Sequence, residues 1–252
     1  MGLPVQIIPP TTTHTHTVAF LHGRGDHAPD FMSSLYHSRD SRKRTLFEAF
    51  PSFRWWFDIW HTADFTEQEG LQESVAGSRA VLEREASILG GRWDLLVLAG
   101  ISQGAATSVH TLLNLDQPPF ADQAGPHRLG AFPGFSCRMP FPGRSLADTR
   151  KVLGWEGVPD HDGIILNTPV LLKHCADDPT VLGGGGRNMR DALQKFGAQV
   201  AWREYPQGGH WFKSPAGIDD AIQFLGAVLP KRNSVTTSSA QGQPSTDAMD
   251  LS

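Results

Sequence analysis

The chain has 252 residues, 39% of them hydrophobic and 19% charged, with a net charge of −4. That apolar share is enough for one substantial core, while the absence of a basic excess argues against nucleic acid as a partner. No apolar run reaches the roughly 20 residues of a membrane span, so integral membrane association is not expected.

Residues 1–16, rich in Pro and Thr, are expected to form an irregular lead-in. His14 and His16 alternate with Thr and lack a third ligand nearby, so they read as an exposed edge rather than a metal clip. Thr17-Val-Ala-Phe-Leu21 is a continuous apolar run followed by a glycine-rich loop, the pattern of a strand buried on both faces. The basic run His37–Arg44 reads as a solvated loop. Phe53-Arg-Trp-Trp-Phe-Asp-Ile-Trp60 opens as a second strand and becomes aromatic. Most of these rings are expected beside the sheet, with Trp56 and Trp60 as candidates for the wall of a substrate pocket.

Leu71 to Leu89 carries apolar residues at helical intervals. Leu95-Leu-Val-Leu-Ala99 is the clearest strand, and Gln103 to Leu115 follows as a helix. Residues 116–128 hold three prolines and one glycine and read as loop; Leu129–Ser136 is a strand candidate. Residues 138–168 are punctuated by Pro and Gly around one helical stretch near Leu146–Leu153. Pro169–Lys173 reads as a strand, Arg187–Phe196 as a helix, Gln199–Glu204 as a strand and Ile218–Leu229 as the last helix. This alternation predicts a single α/β domain over 17–230, with a mostly parallel central sheet and helices on both faces. From Lys231 to the end the composition is Ser, Thr, Gln and Gly with little to bury, which predicts a disordered tail.

Two cysteines, Cys137 and Cys175, are too few for a disulfide framework and lack metal-ligand spacing. With no basic segment leading into an apolar stretch at the N-terminus, they favour a reducing, cytoplasmic setting and no metal site.

The chemistry centres on Gly100-Ile-Ser102-Gln-Gly104, a G-x-S-x-G between a strand and a helix. A serine on so sharp a turn sits at strained backbone angles, and its flanking positions have no room for side chains. The helix that follows brings the positive end of its dipole to the place where an oxyanion develops. A serine hydroxyl needs a base, and the base needs a carboxylate to fix its tautomer. Carboxylates follow the strand at 169–173, as Asp177 and Asp178, and His210 follows the next strand. That order, Ser, Asp, His, is the one a hydrolase of this type requires. Of the other histidines, His22, His110 and His174 read as structural. The oxyanion hole is expected to combine the backbone N–H of Gln103 with that of Arg24 in the loop His22-Gly-Arg-Gly-Asp26.

At these residues the chain resembles the acyl-protein thioesterase and phospholipase/carboxylesterase family of the α/β-hydrolase superfamily, in its fungal-type form, over roughly residues 17–230. The residues that carry the resemblance are His22–Asp26, Trp56–Trp60, Gly70–Val75, Gly100–Ala105, Phe135–Pro140, Asp178–Val181 and Gly209–Phe212. It implies an α/β-hydrolase fold, no organic cofactor, and hydrolysis of small-molecule or protein-linked acyl esters and thioesters. It also favours Asp178, directly before Pro179, over Asp177 as the acid. Trp211, next to His210, is a third pocket candidate. The chain departs from the family in a very short loop between Pro51 and Trp56, and in Leu182 with four glycines after Val181, which reads as a mobile rim. Those departures motivate an alternative, a hydrolase trimming a small metabolite's acyl group. A non-catalytic binding protein on the same scaffold would be expected to lack a triad member, and none is missing.

Overall fold

The computed structural model describes residues 6–23, 26–58, 68–116, 127–157 and 159–231. These build a sheet of seven strands: β1 (Gln6–Ile8), β2 (His16–Leu21), β3 (Phe53–Asp58), β4 (Leu96–Ile101), β5 (Phe132–Phe135), β6 (Val170–Cys175) and β7 (Val200–Tyr205). In space they run β1-β3-β2-β4-β5-β6-β7. Only β1 is antiparallel, pairing Ile7 with Trp56 on β3; the other neighbours are parallel.

Strand periodicity sorts the side chains between two cores. On β2, Ala19 and Leu21 face one side while Val18 and Phe20 face the other; on β4, Leu96 and Leu98 oppose Val97, Ala99 and Ile101. The first face is covered by α3 (Gln68–Ile88), α4 (Gln103–Leu113), α6 (Gly163–Asn167) and α7 (Gly183–Lys195). The second is covered by α1 (Ala28–His37), α2 (Leu46–Ala49) and α8 (Ala216–Val228), around a cluster of Phe20, Phe31, Phe57, Phe135 and Phe212. A short α5 (Leu146–Lys151) lies in the Pro- and Gly-rich stretch, where buried Arg150 binds the carbonyls of Leu113, Pro159 and His161. Strands buried on both faces explain why β4 throughout, Val18–Leu21 of β2 and Val170–Leu172 of β6 read as apolar runs rather than as alternating ones.

Three expectations are corrected. The lead-in is not irregular throughout: Gln6–Ile8 covers the outer edge of β3, and His16 is the first residue of β2. The glycines after Val181 are not a loose rim, because Gly183–Gly186 form the first turn of α7, where Gly186 packs so closely on His174 that a Cβ would stand 2.5 Å from its Nδ1. The basic run is only partly solvated: Asp40 is buried and accepts from the backbone N–H and the side chain of Arg44. The tail from residue 232 and most of the 116–128 loop lie outside the described residues.

One buried charge stands out on the second face. Lys173 of β6 is 3% exposed, with Nζ donating to Gly217 O and lying 5.1 Å from the Phe135 ring centroid and 5.6 Å from that of Tyr205. Burial pushes its pKa down to about 7, with Arg203 adding to the fall and Asp220 and Asp219 opposing it. Between that value and the ordinary lysine range, the unfolded chain holds a proton that the folded chain does not, so stability rises with pH in that window. The slope should approach about 1.4 kcal/mol per pH unit. Thermal melts of wild type and Lys173→Met from pH 7 to 9 are expected to show the variant's advantage shrinking as pH rises; a pH-independent difference would refute this.

Candidate active site

Parallel strands point their carboxyl ends the same way, so the loops after β2, β4, β6 and β7 share one edge of the sheet, the edge where open α/β sheets bind ligands. Ser102 stands at the turn from β4 into α4 with φ +54° and ψ −124°, a conformation that an L-residue adopts only under strain. The turn is enforced from both sides. A Cβ on Gly100 would lie 2.5 Å from Ala105 N, and one on Gly104 would lie 2.2 Å from Leu21 O. Glycine is therefore required at both positions, as the sequence pattern predicts. The Ser102 N–H donates to Phe135 O at 2.9 Å, tying the turn to the end of β5. Gln103 opens α4, at the positive end of that helix.

The loop after β2 passes directly over the serine. A Cβ on Gly23 would stand 3.3 Å from Ser102 Cβ and 3.8 Å from Oγ. This is where a second oxyanion donor is expected, although Arg24 itself, like the pocket candidate Trp60, lies outside the described residues.

After β6, Asp178 is almost fully buried and its two oxygens do different work. Oδ1 accepts the N–H groups of Thr180 and Val181, each at 2.9 Å, while Oδ2 lies 2.7 Å from His210 Nδ1. Burial alone would raise this carboxyl's pKa; the bonds from Val181, His210 and Thr180 outweigh it and hold the group below its usual range. An ionised carboxylate only accepts, so Nδ1 carries the proton and the lone pair of the neutral imidazole is left on Nε2.

His174, also buried, braces the same turn. Its Nε2 lies 2.7 Å from Val181 O, which can only accept, and 3.6 Å from Asp178 Oδ2. The spacing His174-x-x-x-Asp178 after a strand is the signal that sets this structural histidine against the Asp178 turn.

The His210 loop is carried back across the sheet by its apolar neighbours. Phe212 packs edge-on to Phe135 at 4.7 Å and to Phe20 at 6.0 Å, over the ends of β5 and β2. Trp211 donates from Nε1 to Ser38 Oγ at 2.9 Å and meets Phe31 edge-on, which pins it to α1. Trp56 is buried beneath α3, with the Arg84 guanidinium 5.3 Å above its ring. Asp177, the neighbouring carboxylate, reaches not the imidazole but the backbone of Gly208 and Gly209. Among the described residues no group of three His, Cys, Asp or Glu side chains could hold a metal, and no helix is long and apolar enough to cross a membrane.

A sequence profile of the phospholipase/carboxylesterase family matches residues 4–229. Acyl-protein thioesterase 1 of Emericella nidulans is 28% identical, over 90% of this chain and 96% of its own. A probable carboxylesterase of Arabidopsis thaliana, described as SOBER1-like, is 26% identical over 88% of this chain and 81% of its own. Among solved structures, Zea mays acyl-protein thioesterase 2 superposes with a TM-score of 0.68 at 22% identity, over 91% of this chain and all of its own, a likeness of fold. The profile spans the sheet, the strained serine turn and the Asp178–His210 pair, and the chain belongs to the phospholipase/carboxylesterase family of hydrolases, on the α/β-hydrolase fold.

Proposed function

We propose that the chain is a serine hydrolase that cleaves acyl esters or thioesters through Ser102, His210 and Asp178. The observation that carries this reading is the strained Ser102 turn on the same sheet edge as a buried Asp178 bonded to His210, whose proton sits on Nδ1. The relatives named acyl-protein thioesterase and carboxylesterase support the substrate class.

In this reading Ser102 Oγ attacks the acyl carbonyl carbon while His210 Nε2 takes the hydroxyl proton. The carbonyl oxygen becomes an oxyanion, held by the Gln103 backbone N–H at the positive end of α4 and by an N–H of the Gly23–Gly25 loop, with Arg24 the candidate. His210 then returns the proton to the departing alcohol or thiol, leaving an acyl-Ser102 ester. Water, deprotonated by the same imidazole, attacks that ester; as the acyl–oxygen bond breaks, His210 returns the proton to Ser102 Oγ and the carboxylic acid leaves. The Asp178 carboxylate stabilises the transient imidazolium without taking its proton. Each step moves one proton between Ser102 or water and the leaving group, so the cycle asks for no metal or organic cofactor.

Acyl-chain-length profiling tests the substrate class. Turnover of nitrophenyl esters and acyl-thioesters is expected to rise from short to long chains. An optimum at two to four carbons that falls steeply thereafter would contradict a long-chain acyl substrate and favour a small-metabolite ester.

A further inference from the structure

We propose that Asp177 is a positioning residue for His210, holding the backbone of the histidine loop while its neighbour Asp178 holds the ring. The proposal rests on His210 being the base of the reaction.

The two carboxylates follow β6 side by side and turn to opposite tasks. Asp178 is buried and aimed at the imidazole. Asp177 is exposed, and its carboxylate spans the gap to the next loop: Oδ1 accepts the Gly209 N–H at 2.8 Å and Oδ2 accepts the Gly208 N–H at 3.1 Å. These are the two residues directly before His210. The two N–H groups turn toward the one carboxylate where the chain takes positive φ, at Gly208 with φ +148° and Gly209 with φ +61°. Gly208 also lies against Cys175, so closely that a Cβ would stand 2.6 Å from its Sγ. The loop is thus stopped on one side by Cys175 and held on the other by the Asp177 carboxylate. The same two bonds, Gly209 first, keep that carboxyl below its usual pKa, so the clamp is charged across the neutral range.

The consequence is geometric. Among the described residues His210 makes one ring bond, to Asp178, which fixes the tautomer but allows the ring to swing about that bond if the backbone drifts. Pinning the two preceding peptides removes the drift. A displacement of about 1 Å at a catalytic group can cost on the order of 10²-fold in rate without touching substrate binding, so the loss should fall on kcat.

The test uses the full chain and three measurements: kcat and KM on nitrophenyl butyrate, the second-order rate of inactivation by diethyl nitrophenyl phosphate, and thermal melting. Asp177→Ala removes both acceptors and is expected to lower kcat and the inactivation rate together by about 30-fold, with KM within about twofold. Asp177→Asn keeps one acceptor oxygen for Gly209 and faces Gly208 with an amide that cannot accept, so its loss should be intermediate, about fivefold. Should Asp177→Ala fail to fold, Asp177→Asn alone decides. The proposal is overturned if the variants keep kcat within about twofold of wild type, or if KM rises with the inactivation rate unchanged. Ser102→Ala, run alongside, separates the two readings: a live Ser102→Ala enzyme removes the triad, whereas a dead one beside a fully active Asp177→Ala removes only the clamp.

Discussion

Ser102→Ala is expected to lower kcat by about 10⁶-fold while leaving the fold intact, the cost of removing a triad nucleophile. The strain at φ +54° is borne by the backbone and by the tight contacts of Gly100 and Gly104, none of which involves the hydroxyl. Alanine should therefore adopt the same turn, and the Ser102 N–H bond to Phe135 O should survive. The check is kcat on a nitrophenyl ester together with a thermal melt and stoichiometric phosphonate labelling of the wild type. Residual activity of even a tenth, with unchanged melting, would remove Ser102 from the mechanism.

Asp178→Asn should cost on the order of 10⁴-fold in kcat through the tautomer rather than through the fold. Oδ1 of the asparagine can still accept from Thr180 and Val181, so the turn is kept. The amide nitrogen then faces His210 Nδ1 as a donor, which forces the ring proton onto Nε2, where the lone pair is needed. Asp177→Asn, whose carboxylate meets peptide N–H groups instead of the ring, should cost far less. Kinetics in the reverse order would transfer the acid to Asp177.

How much of this was legible in the sequence depended on whether a signal was local. The strands β2, β4 and β6 announced themselves as apolar runs because both of their faces are buried. The serine turn announced itself because no other residue than glycine fits at 100 and 104. The short α2 also carried a local mark, the Thr45-x-x-Glu48 capping box, in which each side chain bonds the other's N–H. By contrast, β1 is three residues whose only reason for being a strand is the edge of β3, a partner about 50 positions away that no local pattern encodes. Four successive glycines likewise argued against a helix on propensity, and tertiary packing overrode that: Gly186 lies where any side chain would strike His174 and Trp202. At the site, residue types and order could be read from the chain, and the Asp178-Pro179 match favoured Asp178 as the acid, but what Asp177 bonds could not be read. It depends on which way two adjacent side chains leave the end of a strand.

The strand order has a consequence for how the protein fails. Ser102 follows β4, a fully buried strand flanked by β2 and β5, whereas His210 hangs from β7, an edge strand with no fully buried residue. Local opening begins where backbone bonds are exposed and apolar contacts are few, so β7 and its loop belong to the less protected part of the molecule. Partial opening of that edge would remove His210, the proposed base, while β4 and the Ser102 turn stay closed. Inactivation on mild heating or in dilute denaturant would then precede loss of the sheet and reverse on cooling or dilution, and the enzyme's working range would be set by its outermost strand rather than by its core.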